Sequence, residues 1–326
     1  PKPDPLRGSS GVISLPQYKF EPFTEIKDKP IIPKVWIWEN RLKEGGISII
    51  TAKPKVGKSI FAMNLAVNVV RGTRFLDWET LKGKVLYMAL EGDIDFIKEQ
   101  ISLISDNQTD QLKDLLLHVG FEIGDQFPTI KQNVIEHKPK LLIIDTLFKL
   151  TMSSDLKDLN NPLEVHRFLE PYVELAREYK THIQFIHHSQ KKQIGSGVQI
   201  LGSTGIFAVV DSAIQINKTQ NTREMITQQR DGDEVWDPII LVGGTRESNF
   251  KISTAGSMNE HHLDDASNQI LEFLDLNGDS NYKDIKSNVS KSDKNIRLAL
   301  SNLIDNGVIK KIKDETDNRT LSYRKV

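Results

Sequence analysis

The chain has 326 residues, a formal net charge of −1 and no cysteine. The length suits one large domain plus a small one, the missing cysteines exclude a disulfide framework or a cysteine metal site, and the near-neutral charge excludes a globally basic nucleic-acid-binding surface. The sequence has no signal peptide and no apolar run that could span a bilayer, so we expect a cytoplasmic protein without a membrane partner.

The first 34 residues are rich in proline and charged side chains and show little periodicity. This composition predicts an extended arm over residues 1–34. Two tryptophans, Trp36 and Trp38, follow directly. They either anchor the arm, on its own domain or on a neighbouring subunit, or stack on adenine or a nucleic-acid base.

The strongest signal is a strand, a glycine-containing loop and a helix in direct succession. Residues 47–50 have the apolar, β-branched character of a short buried strand, and Phe61, Leu65 and Val69 share one face of a helix. This is the context of a Walker A motif, in which backbone N–H groups and a helix N-terminus face phosphates. The predicted phosphate-binding residues are Ala52, Lys53, Pro54, Lys55, Val56, Gly57, Lys58, Ser59 and Ile60.

Within this loop, Lys58 would reach the β- and γ-phosphates of ATP, and the Ser59 hydroxyl would bind Mg²⁺. Ala52 stands where the motif usually has its first glycine, so we expect an ordinary backbone conformation there. The alternative is a chance Gly-Lys-Ser sequence at the start of a helix.

The next buried strand, residues 84–91, ends in Glu91. Ligands of open α/β sheets bind at the carboxyl ends of the strands. Glu91 would therefore lie beside the phosphates, where a carboxylate could orient and deprotonate the attacking water. The alternative is a surface glutamate at a strand end.

A third strand, residues 140–145, runs through four aliphatic side chains into Asp145, which is a Walker B pattern. Asp145 would hold Mg²⁺, directly or through water. The next residue is Thr146 rather than a glutamate. This favours Glu91 as the catalytic base.

A fourth strand, residues 182–188, places His187 and His188 at its carboxyl end, where a histidine could sense the γ-phosphate. The loop that follows is basic. Its Lys191 and Lys192 are candidates for a DNA contact, with an ordinary solvated loop as the alternative.

Strands that alternate with helices predict an α/β fold, a mostly parallel sheet flanked by helices. Residues 213–217, 223–229 and 238–242 would close this sheet as antiparallel strands. We expect the ATPase domain to span residues 35–245 and a linker to follow over residues 246–263.

Residues 264–326 form a second predicted domain of three helices and a hairpin, the pattern of a winged helix. The segment carries eleven acidic and eleven basic side chains. The basic ones cluster on the predicted recognition helix and wing: Lys291, Lys294, Arg297, Lys310, Lys311, Lys313 and Arg319. Binding of duplex DNA, with Lys294, Arg297 and Lys311 as contacts, and binding of a protein both remain open.

Taken together, residues 33–242 resemble the RecA-like ATPases of the RepA-type hexameric replicative helicases. The matching pieces are Trp38, the loop from Ala52 to Ser59, the strands that end at Glu91, Asp145 and His188, and Gly202-Ser203 ahead of Asp211. The resemblance implies a homo-oligomeric ring, usually a hexamer, with ATP at the subunit interfaces and single-stranded DNA in the pore. It also implies that Glu91 is the base, Asp145 the metal-site aspartate and His188 the γ-phosphate sensor.

One feature of the resembled family is missing. The family places an arginine finger shortly after the aspartate that matches Asp211, but residues 212–216 contain no arginine. Lys218 and Arg223 are the candidates for a cation supplied to a neighbouring subunit, ahead of Arg230.

The sequence thus predicts an ATP-dependent DNA-translocating motor, a replicative helicase of a plasmid, phage or other mobile element. One alternative is a recombination or repair ATPase that assembles on DNA without unwinding it. Another is a DNA-binding regulator whose ATP site only controls assembly.

Overall fold

The computed structural model describes residues 19–156, 158–188, 204–218, 222–230, 238–305, 307–313 and 321–326. The chain divides into two compact units, Pro1–Lys34 and Val35–Val326. In the first unit, α1 (Phe23–Ile26) is a single helical turn that buries none of its residues. The candidate DNA-contact residues Lys191 and Lys192 lie outside the described residues.

The second unit begins with elements that alternate between strand and helix. They are β1 (Trp36–Trp38), β2 (Leu42–Lys43), β3 (Ile47–Ala52), α2 (Lys58–Arg71), β4 (Val85–Ala89), α3 (Ile94–Ile104), β5 (Leu115–Val119), α4 (Phe127–His137), β6 (Leu141–Asp145), α5 (Leu147–Thr151), α6 (Pro162–Tyr179), β7 (His182–His188) and α7 (Thr204–Val209).

The remaining elements of the unit are mainly strands, followed by helices and then a hairpin. They are β8 (Ser212–Lys218), β9 (Arg223–Gln229), β10 (Ile239–Gly243), β11 (Ile252–Ser257), α8 (Met258–Asn277), β12 (Ser280–Asn281), α9 (Tyr282–Asn288), α10 (Asp293–Asp305), β13 (Ile309–Lys313) and β14 (Leu321–Lys325).

Among the described residues, nine strands form one sheet in the order β11-β10-β9-β8-β3-β7-β6-β4-β5. The strands from β8 to β5 are parallel to one another, and β9, β10 and β11 are added antiparallel. The predicted fold class, a mostly parallel α/β sheet flanked by helices, is confirmed.

The central strands are apolar because both faces of the sheet are covered. All residues of β3 and β6 are buried, as expected for parallel strands between two helical layers. On one face Phe61 of α2 packs in the same cluster as Ile50. On the other face Leu169 of α6 shares a cluster with Ile49.

Trp38 belongs to this core. Its side chain is buried, its ring centroid lies 5.2 Å from that of Phe75 and 5.9 Å from that of Phe61, and its indole N–H donates to the Phe75 carbonyl at 3.1 Å. The indole therefore packs inside its own domain, which rules out base stacking by Trp38; the anchoring of residues 1–34 stays a prediction.

Residues 246–263 do not form the predicted linker. They hold a 3-10 turn at Arg246–Ser248, the strand β11 and the start of α8. β11 pairs with β10 at the edge of the large sheet. Only Ile252 is buried in this strand, so its sequence carries almost no apolar pattern that could have identified it.

The last part of the chain contains the three predicted helices and the hairpin. α8, α9 and α10 enclose a small apolar core that includes Ile270, Ile285 and Leu300. The unpredicted strand β12 extends the hairpin into a sheet of order β12-β14-β13. No helix within the described ranges is both long and apolar enough to cross a membrane.

Candidate nucleotide-binding site

The predicted site residues meet at one edge of the large sheet. β3, β7, β6 and β4 are parallel and in register, with Ala52 opposite His188, Asp145 opposite Ile186, and Ala89 opposite Asp145. The carboxyl ends of these strands therefore lie side by side. Motifs that are far apart in the sequence are brought together by this register alone.

A cavity of about 590 Å³ opens at this edge. Its walls include Lys58, Glu91, Asp145 and His188, four of the residues to which the sequence assigns chemistry. The remaining lining residues are Lys55, Gly57, Ser59, Ile60, Met63, Ala89, Gly92, Asp93, Phe96, Ile97, Gln100, Thr146, Gly244 and Phe250. A cavity of about 640 Å³ beside α4 and β5 contains none of the four.

The loop before α2 has the backbone of a phosphate cradle. Ala52 ends β3 as an ordinary strand residue, as predicted, and the left-handed positions are Lys55, with φ of 63°, and Gly57, with φ of 102°. Gly57 directly precedes α2. The N-terminus of a fourteen-residue helix thus faces the cavity, which favours an anion there.

Lys58 is arranged to receive that anion. Its side chain is only 5 % exposed, and Nζ donates to the carbonyls of Ala52 at 3.0 Å and Lys53 at 3.1 Å. An ammonium group has three N–H donors, so one remains. Burial lowers the pKa of Lys58 to about 8, against the opposing effect of Asp145 and Glu91. A bound phosphate would keep the amine protonated.

Asp145 and Ser59 come together as a candidate Mg²⁺ site. Burial raises the pKa of Asp145, and hydrogen bonds from Ser59 and Tyr87 oppose that shift. The Tyr87 hydroxyl donates to Asp145 Oδ2 at 3.0 Å. One carboxylate and one hydroxyl are few ligands, but Mg²⁺ in nucleotide sites takes its other ligands from phosphates and water. No cluster of three or more candidate metal ligands is found among the described residues.

Glu91 lies next to Asp145 and is held by a residue that the sequence did not identify. The Thr146 hydroxyl donates to Glu91 Oε1 at 3.3 Å, and the Thr146 hydroxyl oxygen accepts the Lys149 N–H at the start of α5. The N–H of Leu90 donates to the Asp145 carbonyl at 2.7 Å. These bonds tie the ends of β4 and β6 together and fix the position of the Glu91 carboxylate.

The two histidines differ in their access to the cavity. His188 lines it, whereas His187 does not. Burial, with His188 and Lys58 nearby, lowers the pKa of His187 to about 4. Burial and Lys58 also lower the pKa of His188, against Glu91 and Asp145. The Nδ1 atoms of both rings are buried without a partner among the described residues. Because its pKa is lowered, His188 presents a neutral ring to a ligand.

The candidate interface cations lie at two different edges of the sheet, Arg230 at the amino edge and Lys218 at the nucleotide edge. Asp211 accepts from the Ile47 N–H at 2.9 Å and pairs with Lys43 at 2.8 Å, at the amino edge of the sheet. Arg230 lies at that edge too, with its backbone N–H bonded to Asp211 O. β8 starts at the amino edge and runs parallel to β3. Only its carboxyl end, at Lys218, therefore reaches the edge at which the nucleotide would bind. Lys218 is exposed there and pairs in register with Arg223.

Arg223 lies against the phosphate-binding loop of its own chain. Its Nη1 lies 3.5 Å from the Val56 carbonyl of its own phosphate-binding loop, and its Nη2 donates to the Gly243 carbonyl. The role of Arg223 as a cation supplied in trans stays a prediction. The hairpin between β8 and β9 folds the arginine back over the loop of the same chain.

The far wall of the cavity was not anticipated from the sequence. Phe96 and Phe250 approach edge to face, with ring centroids 6.4 Å apart. Asn64 of α2 holds this wall by donating to the Phe250 carbonyl at 2.9 Å and accepting the Ile252 N–H at 3.1 Å. An asparagine inside an apolar helix is a sequence signal that could have indicated this tertiary contact.

The remaining DNA-contact candidates lie away from this cavity. Lys294 and Arg297 are on α10 and Lys311 is on β13. Arg297 pairs with Asp293 at 2.8 Å and stacks over Tyr282, with the guanidinium 4.3 Å from the ring centroid. None of the three lines the cavity.

Comparison with known proteins agrees with this geometry. The model of the family described as AAA domain matches residues 15–193, more than half of the chain. The fold is similar to that of the KaiC-like protein PH0186 from the hyperthermophilic archaeon Pyrococcus horikoshii OT3, with a TM-score of 0.51 and 13 % identity over 69 % of this chain and 99 % of that chain. No curated protein matches the sequence significantly. The chain belongs to the AAA domain family and has the fold of a RecA-like P-loop ATPase.

Proposed function

We propose that this protein hydrolyses ATP to move along single-stranded DNA and acts as a replicative helicase of a plasmid, phage or other mobile element. The observation that carries the ATPase part is the meeting of Lys58, Glu91, Asp145 and His188 on one cavity. The DNA part rests on the resemblance of residues 33–242 to the RepA-type helicases.

Each residue at the cavity has a defined task in this reaction. Lys58 offers its remaining N–H to the phosphates, and Glu91 accepts a proton from the water that attacks the γ-phosphorus as the bond to the leaving ADP breaks. Ser59 and Asp145 would hold Mg²⁺, which offsets the charge on the phosphates when bound. The neutral His188 ring can donate to or accept from a γ-phosphate oxygen or the released phosphate.

Assembly into a ring would complete the site. Lys218 is exposed at the nucleotide edge, so it is free to approach the ATP of a neighbouring subunit, where a cation can accelerate phosphoryl transfer by about 10³-fold or more. Single-stranded DNA would pass through the pore of a homo-oligomer, with the basic segment that holds Lys191 and Lys192 as its contact.

Strand displacement tests this proposal. A forked duplex with a single-stranded tail should be unwound by the wild-type protein with ATP and Mg²⁺, but not with a non-hydrolysable analogue or by Lys58→Ala. Lys113→Ala, which changes an exposed lysine outside the cavity, should unwind normally. DNA-stimulated ATP turnover without displacement would favour the recombination or repair ATPase instead.

A regulator that uses ATP only to control assembly is the second candidate, and one observation favours it. Three basic side chains of the predicted winged helix are already paired with aspartates: Lys286 and Arg297 with Asp293, and Lys291 with Asp265. A surface neutralised in this way suits a protein contact as well as DNA. Nucleotide binding without turnover, with and without DNA, would support this candidate.

A further inference from the structure

Arg223 occupies a gap between two glycines that line the nucleotide cavity. A Cβ atom on Gly57 would lie 3.2 Å from Arg223 Nη1, and one on Gly244 would lie 3.1 Å from the same nitrogen. Both glycines belong to the cavity wall. The guanidinium therefore packs against the phosphate-binding loop on one side and the turn after β10 on the other.

Among the residues that the structure describes, no acidic side chain pairs with Arg223. Its hydrogen bonds go to two carbonyls, those of Val56 and Gly243, and no ion pair joins it to another described residue. Burial lowers its pKa. Arginines elsewhere differ: Arg74 pairs with Glu79, and Arg246 pairs with Glu99.

A half-buried cation without a partner is unfavourable unless a ligand supplies the opposite charge. The adjoining cavity opens at the N-terminus of α2 and beside Lys58, where an anion is favoured. A nucleotide phosphate is the group of suitable charge, because a guanidinium binds phosphate oxygens with two parallel N–H donors. The carbonyls of Val56 and Gly243 each accept from one guanidinium nitrogen of Arg223, and further N–H groups remain for a ligand.

We propose that Arg223 is a phosphate-binding residue of its own subunit, pairing with the nucleotide that the same phosphate-binding loop holds. This inference rests on the proposed ATP site and adds a binding residue to it. It also separates two cations at the end of the β8–β9 hairpin: Arg223 acts in cis, and Lys218 remains for the neighbouring site.

Equilibrium binding of a fluorescent ADP analogue provides the test. Arg223→Gln keeps an N–H donor for the carbonyls of Val56 and Gly243 but removes the charge, so the fold is retained; thermal unfolding checks this. We expect a loss of affinity of about tenfold to a hundredfold, the usual effect of removing a charged hydrogen bond. The dependence of affinity on salt should also become shallower.

Two comparisons make the result specific. Arg223→Lys, which restores a positive charge without the planar fork, should recover part of the affinity, and Arg74→Ala, an exposed and paired arginine, should bind as the wild type does. Unchanged binding by Arg223→Gln overturns the inference while leaving the ATP site intact. Failure of the wild-type protein to bind nucleotide overturns the proposed function, and this inference with it.

Mixing subunits distinguishes cis from trans. In a mixture of Lys58→Ala and Arg223→Gln chains, no subunit has both residues, so a cis arrangement predicts no recovery of ATP turnover above the sum of the separate variants. An arginine acting in trans would recreate complete sites wherever the two variants meet. Recovered turnover would therefore overturn the assignment of Arg223 to its own subunit.

Discussion

Basic side chains at the nucleotide edge differ in burial and in bonding partners from those in the C-terminal segment, residues 264–326. Lys58 is buried, Arg223 is half-buried, and both are bonded to backbone carbonyls. In the C-terminal segment Arg324 and Lys325 are more exposed and pair with Asp279 and Asp275.

This contrast shows where a ligand is needed. Burial disfavours these two cations, and a bound anion would offset that cost, whereas exposed pairs are already screened and balanced. The number of basic side chains in a region therefore predicts ligand binding poorly. In the C-terminal segment the relevant lysines are those that no ion pair joins to another described residue, such as Lys294 and Lys311.

The largest effect should come from Lys58, the more deeply buried of the two cations at the nucleotide edge. Lys58→Ala removes the side chain that faces the phosphates, and we expect nucleotide binding and ATP turnover to fall below detection. Lys113→Ala is the matched control. Normal turnover by Lys58→Ala would show that the cavity is not an ATP site and would remove the contrast between the two regions.

Glu91→Gln should separate binding from chemistry. The amide keeps the hydrogen bond with Thr146 but cannot accept a proton, so ATP should still bind while turnover falls about a hundredfold or more. Phosphate release and ATP affinity measured on the same preparation check this. Glu136→Gln, an exposed glutamate on α4, is the control. Normal phosphate release by Glu91→Gln would place the base elsewhere.

The pH dependence of binding should report the buried amine. The pKa of Lys58 is about 8 in the apo protein and rises when a phosphate binds. Affinity is therefore fully present below pH 8 and should weaken above it, by up to about tenfold per pH unit, because binding then requires proton uptake. ADP titrations from pH 7 to pH 9.5 measure this. A flat profile would mean that Lys58 is already charged without ligand.

The smallest effect should occur in the C-terminal segment. Lys294→Ala and Lys311→Ala should each weaken duplex binding a few-fold and reduce the salt slope by about one, as expected for one phosphate contact. Lys325→Ala, whose amine already pairs with Asp275 at 2.8 Å, should change little. Equal effects of all three would contradict the pairing argument, and no duplex binding would favour a protein contact.

The parts of the fold that could be predicted are those encoded locally. The buried strands before Ala52, Asp145 and His188 are runs of apolar residues bounded by polar ones, and parallel packing then brings their ends together. β11 was missed because an edge strand with one buried residue has no such run.

Contacts that depend on register between distant segments were not accessible from the sequence. The hydrogen bond from Thr146 to Glu91 joins two strand ends, and the approach of Arg223 to Gly57 depends on how the β8–β9 hairpin folds back. The aromatic wall formed by Phe96 and Phe250 joins α3 to the segment, residues 246–263, that was predicted to be a linker. Side-chain identity at these positions shows no periodic pattern.

The most direct test of the account is phosphate release by the wild-type protein, measured with ATP and Mg²⁺ in the absence and presence of single-stranded DNA. We expect slow hydrolysis by the protein alone and a clear acceleration by DNA, both lost on removal of Mg²⁺. Nucleotide binding without phosphate release under either condition would contradict an ATP-hydrolysing motor.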